Sequence, residues 1–219
     1  MSLADALAEL DATGTPSADR RHPSAAHRFI DLYADDHGRI GKRMSRCAEV
    51  LGDLADGHTM HVVSMGEWSA DHMISWGIDQ IGPADLLFGT WSLSVEPATR
   101  LCRAADHGLI RSLRGVFDLR AVIRRPEAMR MIRKRFGRER IRIFNCHAKV
   151  YLLSNETRQI TIVSSANFTM NPRIEASVVT MDRAAFDFHH GWLSAVYADA
   201  DPFECEDKPG REDAQDAED

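Results

Sequence analysis

His147-Ala148-Lys149, followed seventeen residues after His147 by Ser164-Ser165-Ala166-Asn167-Phe168-Thr169, brings together the residue types that chemistry on an anion requires. Residues two apart on a strand point to the same face, so His147 and Lys149 present an imidazole and an ammonium side by side. A Ser-x-Asn turn after a second strand can carry the Ser165 hydroxyl and the Asn167 amide to the same spot. That set suits an anionic, tetrahedral group, which means phosphate and reaction at phosphorus. Lys149 can neutralise one non-bridging oxygen, Asn167 can donate to another, and Ser165 can add a further hydrogen bond. All three interactions strengthen as charge builds in the transition state. His147 is a good nucleophile at neutral pH when a carboxylate holds its other nitrogen, and Glu175 is the candidate for that role. Cys146 faces the opposite side of the strand and reads as buried filler.

The elements that must position these groups follow from periodicity and from turn residues. Residues 24–56 have helical spacing, with Phe29, Ile30, Tyr33, Met44, Cys47, Val50, Leu51 and Leu54 recurring, and Gly38 and Gly41 are expected to divide the stretch into two helices. Strands are expected over 60–65, 84–89, 113–119, 140–144, 147–153, 159–163 and 176–181, seven in all. Helices are expected from a Ser69 cap to about residue 81, and over 95–105, 126–136 and 184–197. The 84–89 run is mostly apolar, as a strand buried on both faces would be. Strands alternating with helices, then a run of strands, define an α/β sandwich on a mixed central sheet. Ligands of such sheets gather at strand ends. The expected division is a helical extension at 1–56, one catalytic domain at 57–198 and an acidic, disordered tail at 199–219.

Bulk properties narrow the function classes. A chain of 219 residues with 44% hydrophobic content fits one globular domain with extra segments. No apolar run reaches membrane-span length, the acidic N-terminus is unlike a signal peptide, and no membrane insertion is expected. The four cysteines are scattered without a C-x-x-C pair, which fits neither a disulfide framework nor a zinc site and favours a reducing, cytoplasmic setting. The net charge of −6 conceals its distribution: −8 lies in residues 199–219 and −4 in the first nineteen, leaving +6 for 20–198. From Arg100 to Arg142, fourteen Lys and Arg face four acids, and nearly all the bases are arginine, the better bidentate ligand of phosphate. Arg124, Arg125 and Arg142 are therefore candidate contacts to a polyanion. Trp91, in the loop after the second strand, is a candidate stacking surface at the mouth of the site. A solvated basic helix face and a core tryptophan are the competing readings.

His147-Ala148-Lys149, Ser165-Ala166-Asn167 and the later Asn171-Pro172-Arg173-Ile174-Glu175, in that order between strand patterns, resemble the phospholipase D superfamily. Its hallmark is H-x-K-x4-D, then G-S-x-N, then an acid several residues on. Residues 141–179 carry the motif, and the element order over 60–197 is compatible with the family fold. Two positions depart from the pattern: Ser164 stands where glycine is usual, and Ser154 where aspartate is usual. The resemblance implies a phospholipase D-like α/β sandwich with a central mixed seven-stranded sheet flanked by helices. It implies a covalent phosphohistidine at His147, assisted by Lys149, Ser165, Asn167 and Glu175, with no metal and no other cofactor. A second histidine would protonate the leaving oxygen and then activate water. No other histidine here is followed two residues on by lysine, and single-motif members of the family build one site from two protomers. A two-fold homodimer with paired His147 side chains is the corresponding expectation. The expected activity is a metal-independent phosphodiesterase, a nuclease acting on nucleic acid, with DNA ahead of RNA. The alternatives are an inactive nucleic-acid-binding module on the same scaffold and, behind it, a phospholipase or phosphatidyl transferase.

Overall fold

A computed structural model describes residues 36–170 and 172–203. The helical signals at Phe29, Ile30 and Tyr33, most of the acidic stretch, and Asn171 lie outside the described residues. The chain runs α1 (Asp36–Leu51), β1 (Thr59–Ser64), α2 (Ala70–Ile81), β2 (Ala84–Thr90), α3 (Val95–Asp106), β3 (Ile110–Asp118), α4 (Leu119–Arg124) and α5 (Pro126–Phe136). A 3-10 turn at Arg138–Arg140 leads to β4 (Ile141–Phe144), β5 (Val150–Ser154), β6 (Gln159–Ser164), β7 (Glu175–Thr180), α6 (Arg183–Asp199) and β8 (Asp201–Pro202). The strands form one mixed sheet in the order β1-β7-β6-β5-β2-β3-β4-β8. Only β2–β3 and β3–β4 pair in parallel, each through a helical crossover.

The sheet has eight strands where the sequence pattern predicts seven. The addition is β8, whose Asp201 and Pro202 pair with Ile143 and Arg142. Two residues, one of them proline, carry no readable alternation. Phe203 beyond it is buried, so ordered structure extends past residue 199, the expected start of the tail. Gly38 and Gly41 do not divide α1, which continues through both. The short helix α4 also went unread, since six residues are too few to show a helical period.

Both sheet faces are covered, and the two-residue period of the central strands decides which core each side chain enters. Leu86 and Phe88 of β2, with Tyr151 and Leu153 of β5, meet Met73, Ile74 and Trp76 of α2 and Met129 and Ile132 of α5. Leu87, Val150 and Leu152 point the other way, onto Phe186 and Leu193 of α6, and Cys146 joins them. Trp68 and Trp76 are core residues. Gly115 lets the β2 and β3 aromatics close up: a Cβ there would sit 2.6 Å from the Phe88 ring and 2.8 Å from Phe117. Phe88 consequently packs edge-on against both Phe117 and Phe168, with centroids 5.2 and 5.0 Å away. No helix among the described residues is long and apolar enough to cross a membrane.

Candidate active site

Four strand ends meet at one edge of the sheet. Gly89 near the end of β2 is opposite Val150 at the start of β5, Val150 is opposite Val163 of β6, and Ser164 at the end of β6 is opposite Ser177 of β7. An open cleft of about 1040 Å³ lies at this edge, and His147, Lys149, Ser165, Asn167 and Glu175 all line it. Trp91, Arg124 and Arg125 line it too, as do Arg120 and Arg173.

His147 and Lys149 reach the cleft from an extended segment just before β5, and not from within the strand, which begins at Val150. The segment keeps strand-like pairing at its end, because the Ser164 amide donates to the Lys149 carbonyl at 2.9 Å. The two side chains share a side as expected: Lys149 Nζ is 3.4 Å from His147 Nδ1 and donates to the His147 carbonyl at 2.8 Å. Partial burial holds the Lys149 ammonium below the ordinary lysine range, opposed by the nearby Cys146, Glu175 and Asp118. The His147 ring meets Trp91 edge-on at 5.6 Å, which fixes one wall of the cleft.

The Ser-x-Asn turn is anchored from below. Phe168 is fully buried against Phe88 and Tyr151, and its carbonyl accepts from the Ser94 amide at the start of α3. The Tyr151 hydroxyl donates to the Ala166 carbonyl at 2.7 Å, and burial pushes that phenol far above its ordinary range, so it remains a donor. Asn167 is oriented by its neighbours. The Trp91 amide, a donor only, lies 3.3 Å from Asn167 Oδ1, and the Thr90 hydroxyl adds a second contact at 3.4 Å. The carbonyl end of the side chain is therefore satisfied by the protein, and the amide NH2 is the end left to donate to a ligand.

Glu175 and Ser165 depart from the roles expected of them. The Glu175 carboxylate accepts a hydrogen bond from Ser165 Oγ, and that same oxygen accepts from the Ala176 amide at 3.0 Å. Ser165 N and the Ala176 carbonyl close the ring at 2.9 Å. This arrangement uses the hydroxyl hydrogen of Ser165, and Glu175 makes no hydrogen bond to His147 among the described residues. The cause is register: Ser165 follows directly on Ser164 and sits beside the first residues of β7, within reach of Glu175. Ser164 has turned its own hydroxyl inward, 2.7 Å from Ser177 Oγ and accepting from Ala166 N at 2.9 Å. Ser154 ends β5 at the strand terminus away from the cleft, opposite Asp85, and takes no part in the site.

Arg142 is likewise outside the cleft. Its guanidinium lies over the Tyr197 ring at 4.8 Å and pairs with Glu139 at 3.6 Å. Arg120 and Arg173 take its place in the cleft, and sequence reasoning missed them as site residues. Arg120 was recoverable: it follows the C-terminal end of parallel strand β3, where the buried Asp118 accepts from its amide and starts α4. Arg120 and Arg124 lie over the Trp91 ring at 5.9 and 5.7 Å. Among the described residues Arg120, Arg124, Arg125 and Arg173 have no carboxylate partner. Elsewhere Arg135, Arg158 and Arg183 each pair with one carboxylate, and Arg100 and Arg111 each with two. Five cations and one carboxylate, Glu175, thus line the cleft.

Comparison with known proteins agrees with this geometry at the level of the fold. No family model matches the chain, and no curated protein matches it. Among solved structures, it is similar to NucT from Helicobacter pylori, at 12% identity and TM-score 0.51, over 67% of this chain and 100% of that one. It is also similar to Nuc from Salmonella typhimurium, a phospholipase D family member, at 22% identity and TM-score 0.49, over 68% of this chain and 100% of that one. The architecture is an α/β sandwich on one mixed sheet, similar in fold to NucT, and the motif residues His147, Lys149 and Asn167 lie together at one end of its central strands.

Proposed function

We propose that this protein is a metal-independent phosphodiesterase, specifically a nuclease, with DNA ahead of RNA as the candidate substrate. The observation that carries the proposal is the convergence of His147, Lys149 and the outward amide of Asn167 in a cleft whose four arginines lack carboxylate partners. A phosphodiester would supply the missing negative charge. Its non-bridging oxygens would draw Lys149 Nζ away from the His147 carbonyl and accept from Asn167. An unprotonated His147 nitrogen then attacks phosphorus. The N–P bond forms, the ester P–O bond breaks, and the leaving oxygen takes a proton from a second imidazolium. Water next attacks phosphorus, the N–P bond breaks, and the water proton returns to that second imidazole.

His147 is the one histidine lining the cleft among the described residues, so the second imidazole is assigned to His147 of the partner subunit in a two-fold dimer. The fold similarity to NucT and the resemblance of the motif residues to the phospholipase D superfamily support the phosphodiesterase reading. A binding-only module is the second reading, favoured by one observation: Glu175 holds Ser165 and leaves His147 without a carboxylate. Trapping separates the two. Protein quenched during turnover of saturating DNA should carry an acid-labile phosphate on His147. DNA binding with an unmodified His147 at every quench time would establish the binding-only module.

A further inference from the structure

We infer that the groove at the C-terminal end of α5 is a second anion site, one that holds the phosphate backbone of a nucleic acid engaged in the His147 cleft. The inference rests on the nuclease reading above for the identity of the polymer. The groove has a volume of about 550 Å³, and the residues that line it, Arg130, Arg133, Lys134 and Arg138, are all basic. The buried stripe of α5 consists of Ala128, Met129 and Ile132, which leaves Arg130 and Lys134, four residues apart, side by side on the exposed face. Basic residues in a last turn complement a helix dipole, but that dipole amounts to only about half a charge. Arg138 pairs with Glu139 at 3.3 Å and Arg135, outside the groove, with Asp106, so the exposed Arg130 and Lys134 are the cations on which the site rests.

Position ties the groove to the cleft. Arg125, which lines the cleft, is the N-cap of α5, and the groove lies at the other end of the same helix. Eleven residues of helix span roughly 16 Å. Phosphates along one strand of a duplex rise about 3.4 Å each, so roughly five nucleotides separate the two sites. A polymer, and not a short fragment, is needed to occupy both.

The test uses full-length His147→Ala protein, so that binding is read without turnover, with and without Arg130→Ala and Lys134→Ala together. Fluorescence anisotropy would report the affinity for oligonucleotides of four and twenty nucleotides, single-stranded and duplex, over a range of salt. The expected result is a roughly ten-fold weaker twenty-mer, a salt slope lower by about 2, and an unchanged tetramer. Whichever strandedness shows the loss identifies the polymer that follows the helix. An unchanged twenty-mer affinity and salt slope would overturn the inference, as would equal weakening of tetramer and twenty-mer. So would a requirement for the pair in binding anionic phosphatidylserine vesicles but not DNA. Circular dichroism melting of both proteins checks that the exposed substitutions leave the fold intact. Because cleavage is not measured, a wild-type protein that fails to cut DNA would overturn the nuclease reading and leave this result standing.

Discussion

At the scale of the residue, Lys149 sets the pH behaviour of the site. Its ammonium is held below the ordinary lysine range, chiefly by burial. The charged form is the one that can neutralise a phosphate oxygen, so activity should be retained below the folded-state pKa and lost as pH rises through it. The alkaline limb of kcat/KM should therefore fall at a lower pH than a free lysine would give. Lys149→Arg should move that limb upward, because a guanidinium does not deprotonate in the accessible range. An alkaline limb that stays in place in Lys149→Arg would assign it to another group. Lys149→Ala should lower kcat by about 10²–10³, as removal of one transition-state donor typically does. At this scale the sequence was readable for His147, Lys149 and Asn167, since their types and spacing alone bring them to one spot. Ser165 and Glu175 were also placed at the cleft they line, but their hydrogen bond to each other was not readable. Their hydrogen bond depends on the pairing of β6 with β7, a long-range register that no local spacing encodes.

At the scale of the element, the Ser-x-Asn turn owes its position to β5 beneath it. Tyr151→Phe keeps the ring that packs against Phe168 and removes the hydroxyl, which donates to the Ala166 carbonyl and lies 3.5 Å from Thr90 Oγ1. An unsatisfied buried carbonyl costs roughly 1–3 kcal/mol. The melting temperature should fall by about 2–4 °C for each kcal/mol lost, and kcat should fall with it as the turn loosens. A Tyr151→Phe protein with unchanged stability and activity would show that Phe168 alone holds the turn. Element boundaries were largely legible: Ser69 is the N-cap residue of α2, Pro126 opens α5, and Gly137 follows its last residue. The segment carrying His147 has the alternation of a strand, through Cys146, Ala148 and Val150, yet ladder pairing starts only at Val150. The arginine-rich stretch gave the right sign and the wrong detail. Composition cannot tell Arg120, held at the cleft by α4, from Arg142, stacked on Tyr197.

At the scale of the whole molecule, the proposed two-histidine mechanism needs a second subunit, because His147 is the one histidine lining the cleft among the described residues. Light scattering at micromolar protein should give a dimer, and dilution below the dissociation constant should abolish cleavage in proportion to dimer lost. A monomer with full activity would remove the shared-site mechanism. The fold class was legible from the strand–helix order. The proposed phosphate chemistry rests on one motif, and the proposed partner subunit on counting that motif once, a matter of stoichiometry and not of shape. The most direct test of the central claim is DNA cleavage in excess EDTA by wild-type protein and by His147→Ala, purified in parallel. Wild type should cut and His147→Ala should not, with DNA binding retained by both. Equal cutting by the two proteins, or cutting that EDTA abolishes, would contradict a metal-independent nuclease built on His147.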